Sequence, residues 1–223
     1  GYDWWSLRPL QQPSPPELAN ANWSRNGIDN FIVAKLQSAG LSPSSQANAR
    51  SLMRRLYFDL IGLPPTSDEI AKFEKDPSDK AYLQIVNKLL ESPRYGERWG
   101  RHWLDVAGYA DSEGYTLDDP VRGFSYKYRD YVIRSLNDDK PFDQFLTEQL
   151  AGDELVTLPK DELSPGDIER LTATGFLRLV PDGTGSGAED QDAARNQVLS
   201  DTLKVVSSAL MGLTLGCAQC HDH

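Results

Sequence analysis

The sequence predicts a mostly α-helical fold, a multi-helix bundle-like domain behind an extended Trp- and Pro-rich N-terminal arm. Three observations lead there. Apolar residues recur at i, i+3 and i+4 in segment after segment, the spacing that gathers them on one face of a helix. Short breaks carrying Pro, Gly and capping hydroxyls separate these segments, which suits antiparallel helical neighbours. No alternating apolar and polar run exceeds four residues, so no half-buried strand is expected.

Residues 1–27 form the arm. Trp4, Trp5 and Trp23 bracket Pro9, Pro13, Pro15 and Pro16, and proline at this density disfavours helix. Three indoles carry much apolar surface, so the arm is expected to lie along the body of the domain. An aromatic platform for carbohydrate is the other reading.

The helical domain covers 28–223. Ile28, Phe31, Ile32 and Leu36 predict a helix over 28–36, which Gly40 stops. Leu52, Leu56 and Leu60 stripe a second over 48–61, ended by Gly62-Leu63-Pro64-Pro65. Thr66 or Ser67 caps a third through 73, with Glu69 placed for a capping box. Tyr82, Ile85, Val86, Leu89 and Leu90 mark a fourth. Ser92 and Pro93 open a fifth, where the missing proline N–H does no harm. Further helices are expected over 126–136, 142–150 and 168–179. A last one over 190–216 is expected to carry the Cys-containing terminus at its end. The Gly-rich turn 183–187 lacks the Gly-Lys-Ser/Thr ending of a phosphate loop and reads as a linker.

The chain of 223 residues holds one large or two small domains. With 39% hydrophobic and 25% charged residues it reads as globular. No run of eighteen apolar residues suggests a membrane span. A net charge of -10 argues against nucleic acid or an anionic membrane surface as partner.

The terminus carries Cys217-Ala218-Gln219-Cys220-His221, the attachment spacing of a c-type haem. Each cysteine can form a thioether to a vinyl group, and the adjacent imidazole reaches the iron as proximal ligand. Cys217 and Cys220 are the only cysteines, and His221 and His223 are two of the three histidines. Three rivals remain. A dithiol redox pair would follow a strand, a structural zinc site would need four ligands, and the two cysteines could form a disulfide. The leading expectation is a haem c-binding domain of an extracytoplasmic redox protein. It would pass electrons to a partner protein or to further domains of the same chain. The sequence is then a piece of a longer protein whose signal peptide is absent here.

Other residues fit around that reading. His102 is a candidate second iron ligand, and Met53 offers a thioether for the same position; Met211 lies too close to Cys217. His223 would bind a second metal or a propionate. Arg94, Arg98 and Arg101, at spacings of four and three, form a basic face suited to propionates, or pair with Glu91 and Glu97. Asp111, Glu113, Asp118 and Asp119 cluster in one loop, without the order of an EF-hand, as a candidate Ca²⁺ site. They equally suit turn capping. They also allow an acid/base pair in an enzyme acting on glycans, with its site between Arg94 and Asp119. The helix bearing Arg94, His102 and two tryptophans, with the loop beyond it, is expected to face the main cavity.

Several stretches also carry a resemblance. They are Gly62-Leu63-Pro64-Pro65-Thr66, Ser92-Pro93-Arg94-Tyr95-Gly96-Glu97-Arg98-Trp99 and Arg101-His102-Trp103-Leu104-Asp105-Val106-Ala107. Ala110-Asp111-Ser112, Tyr128-Arg129-Asp130, residues 149–155, Ala173-Thr174-Gly175-Phe176-Leu177-Arg178 and the terminal 216–223 follow in order. Together they resemble the planctomycete cytochrome-associated domain of unknown function. That resemblance implies a large extracytoplasmic protein in which this domain lies between a cytochrome-like module and a further C-terminal domain. Gly108 departs from the pattern, where an Arg is expected.

Overall fold

The computed structural model describes residues 8–18, 23–114, 119–158, 162–184 and 190–221. Among the described residues there are nine α-helices and no strand; one antiparallel bridge joins Ser112 to Val121. The chain divides into two compact units, Gly1–Asn48 and Ala49–His223.

The first unit holds one helix, α1 (Gly27–Ser38), capped by the Asn26 side chain, which accepts from the Asp29 N–H. Within it Asn30 donates to the Pro16 carbonyl at 3.2 Å, and Ser24 bonds to Asn30. Trp23 is exposed, while Trp4 and Trp5 lie outside the described residues.

The second unit has two cores. Helices α2 (Ala49–Leu60), α3 (Ser67–Lys75) and α4 (Asp79–Leu90) surround Met53, Leu56, Tyr57, Phe73 and Leu89. Thr66 opens α3 with the expected capping box to Glu69. The larger core lies among α5 (Pro93–Ala107), α6 (Ser125–Asn137), α7 (Phe142–Ala151) and α8 (Pro165–Ala173). Tyr131 and Val132 at its centre are wholly buried, with Leu104, Phe145 and Phe176 around them.

Helices α5 and α6 approach closely because α5 presents Gly96 and Gly100. A Cβ on Gly96 would sit 2.4 Å from the Ile133 carbonyl oxygen, so only glycine fits. Asn137, the last residue of α6, accepts from the Gly96 N–H at 2.8 Å and donates to the Pro93 carbonyl at 3.3 Å. One side chain thus meets an otherwise orphaned donor of the α5 first turn and fixes the two helices antiparallel.

Two expected helices end early. The one expected over 168–179 starts at Pro165, behind a Ser164–Asp167 capping box, and stops at Ala173. Thr174 bonds back to the Leu171 carbonyl at 2.8 Å, and the chain tightens into a 3₁₀ turn, Thr174–Arg178. The one expected over 190–216 is α9 (Gln191–Val206). The Ser207 and Ser208 hydroxyls bond back to the Lys204 carbonyl at 3.1 and 2.8 Å, and Ser207–Met211 widens into a π turn. Gly212 then takes a left-handed φ of 63° and ends the helix. The cysteines are therefore not at the end of a helix. They stand on a separate 3₁₀ turn, Gly216–Gln219.

Candidate functional site

Cys217 sits inside that turn and Cys220 at its end, where the Cys220 N–H donates to the Cys217 carbonyl at 3.2 Å. Side chains three apart eclipse on a 3₁₀ helix, so both sulfurs belong to one side of the turn. Both thiols are free and exposed, and His221 next to them is exposed. The turn lies along α9. Gln219 donates to the Gln197 side chain at 3.4 Å, and Gly216 packs on the stem of Lys204. Around it the apolar side chains are poorly covered: Leu213 and Leu215 before the turn, and Leu199 and Leu203 on α9, are all exposed.

The other sequence-selected residues go to different places. His102 is exposed on α5, edge-on to Trp99 at 5.5 Å, at the rim of a cavity of about 310 Å³ lined by Trp103, Phe142 and Ala209. Met53 is wholly buried in the smaller core, so it is packing and not a ligand poised at a surface site. Arg94 pairs with Glu97 at 3.0 Å. Arg98 lays its stem over Gly62, with its Nε buried and without a partner. Arg101 is exposed and makes no ion pair with Asp105. The three arginines thus engage separate surroundings. His223 lies outside the described residues. Among the described residues, no three His, Cys, Asp or Glu side chains gather to hold a metal ion.

The acidic loop is occupied by internal bonds. Asp111 accepts from the Tyr109 hydroxyl at 2.6 Å and from Ser125 at 3.3 Å. Burial, then the bond to Asp111, pushes the Tyr109 hydroxyl up. Glu113 accepts from Arg122 at 3.0 Å, and Asp119 from the Gly114 N–H at 2.7 Å. Tyr115, Asp118 and residues 185–187 of the Gly-rich turn lie outside the described residues.

One buried polar network was not foreseen. Tyr128 donates to the Gln149 side-chain oxygen at 2.5 Å, and Trp103 Nε1 points at both, 2.9 and 3.0 Å away. Beside it Glu148 accepts from Lys140 at 2.5 Å, from Tyr131 at 2.9 Å and from Gln144 at 2.9 Å. Burial alone would raise the Glu148 carboxyl, but those three donors outweigh it and hold it below its ordinary value. The available signal was position: Glu148 and Gln149 stand three and four residues after Phe145, on its buried stripe.

No helix of the described residues is long and apolar enough to cross a membrane. No curated protein and no solved structure matches the chain. A family model does match, over residues 27–223, nearly all of the chain. The chain belongs to the family described as PSCyt2, a protein of unknown function (DUF1549).

Proposed function

We propose that Cys217, Cys220 and His221 are the covalent attachment point of a c-type haem. On this reading the protein is extracytoplasmic and transfers electrons, or delivers them to a catalytic domain elsewhere in its chain. The observation that carries this reading is the pairing of two free, exposed thiols on one 3₁₀ turn with an imidazole at the next position. The residues present fit the group. The thiols are accessible, so thioethers form without opening either core. The exposed Leu199, Leu203, Leu213 and Leu215 supply apolar surface to cover a macrocycle. Such a group supplies one-electron transfer when bound, with the iron held by the proximal imidazole. For a second axial position we propose His102, exposed on α5; Met53 is committed to packing.

The rival glycan-directed enzyme has less support, because Asp111 and Glu113 are both engaged by internal donors. The test is expression in a host that exports the chain and carries haem c maturation machinery. Denaturing electrophoresis followed by haem staining should leave a coloured band, and Cys217→Ser with Cys220→Ser should abolish it. A colourless band from the unsubstituted chain sinks the reading.

A further inference from the structure

We infer that a second site, remote from the cysteines in sequence, binds a small organic anion. It is the cleft between Glu113, residues 121–124, the start of α6 and the 3₁₀ turn Thr174–Arg178, with a volume of about 560 Å³. That volume lies in the range of small-molecule sites.

The charge balance of the cleft is the first argument. The chain carries a net -10, yet the walls bring together Arg122, Lys127 and Arg178 against two carboxylates, Glu113 and Asp182. Arg122 is structural. Only 10% of its side chain is exposed, and it donates to Glu113, to the Leu179 carbonyl at 2.9 Å and to the Val180 carbonyl at 2.6 Å. It ties Glu113 to the chain just after the 3₁₀ turn and so shapes the cleft. Asp182 accepts from Thr184 and from one nitrogen of Arg178, which keeps other donors of its guanidinium. Among the described residues Lys127 has no carboxylate partner; its ammonium lies 5.1 Å from the centroid of the Phe124 ring. A cation in the first turn of a helix opposes the helix dipole, and α6 has no acid there and no side-chain cap. A bound anion offsets both.

The mouth is the second argument. Phe124 and Val121 are 74% and 79% exposed beside those cations. A ring or apolar body can lie on Phe124 while its acid group meets Lys127 and Arg178. The ligand class is therefore an organic carboxylate, phosphate ester or sulfate ester, not a free inorganic ion.

Calorimetric titration of the whole chain at low salt tests this, with phenyl phosphate as probe and benzyl alcohol as its neutral counterpart. Lys127→Gln and Arg178→Gln are the variants. Both positions are exposed and outside the two cores, and a thermal melt checks that each variant folds. The expected result is saturable binding of phenyl phosphate, no binding of benzyl alcohol, and about tenfold weaker binding in Lys127→Gln. Three results overturn it: no saturable binding of phenyl phosphate, benzyl alcohol binding as tightly, or an affinity that neither substitution changes by more than about twofold.

Discussion

Glu69 joins the first helices of the second unit through four donors. The Thr66 N–H, the Thr66 hydroxyl and Lys88 each reach its carboxylate at 2.9 Å, and Tyr57 adds its hydroxyl. Burial alone would raise the carboxyl; the donors outweigh it and bring it from 4.5 down to about 2. The folded value lies below the unfolded one, so the contribution to stability is complete above pH 4.5 and is lost as pH falls towards 2. Glu69→Gln should cost about 1 kcal/mol at neutral pH, allowing for the partial exposure of the site. Melting curves from pH 6 to pH 2 should then fall less steeply for the variant than for the parent, and parallel curves would exclude this role. The Thr66 half of the arrangement was legible, because a capping box is local. Tyr57 and Lys88 were not, because packing rather than spacing brings them to Glu69.

Helix starts were legible for the same reason. Ser92 before Pro93 and Thr66 before Glu69 are short-range signals, and each caps where expected. Helix ends depended more on context. Periodicity continues through Leu179 and through Leu215, yet α8 and α9 stop where Thr174, Ser207 and Ser208 turn their hydroxyls back on the helix. The contact between α5 and α6 was also hidden, since a glycine in a helix announces nothing about its neighbour. It makes a sharp prediction. Gly96→Ala puts a methyl group into the Ile133 carbonyl and the Asn137 side chain, and should destabilise by about 2–3 kcal/mol. Gly100→Ala meets the Ile133 Cγ1 at 3.2 Å, with its other neighbours at ordinary van der Waals distance, and gains helix propensity, so its cost should be much smaller. Urea denaturation of both variants measures the difference; equal losses would refute the geometric reading.

At the scale of the whole molecule, the terminal motif was legible and its setting was not. The spacing of Cys217, Cys220 and His221 is visible in the sequence, but the break at Gly212 that separates them from α9 is a three-dimensional fact. Arg94, Arg98 and Arg101 looked like one basic face, yet Arg94 is drawn to Glu97 and the stem of Arg98 packs over Gly62. The cleft around Lys127 was invisible because its walls come from segments some fifty residues apart. Neither core contains a residue beyond 210. Replacing Cys217 and Cys220 by alanine should therefore shift the melting midpoint by no more than about 2 °C. A larger fall would make the turn part of the scaffold. The placement of the turn also bears on the order of assembly. On the haem reading, the acceptor turn lies outside both cores, so loading and folding can proceed in either sequence. A molecule that folds first is then a stable reservoir of unloaded protein, still open to the machinery that completes it.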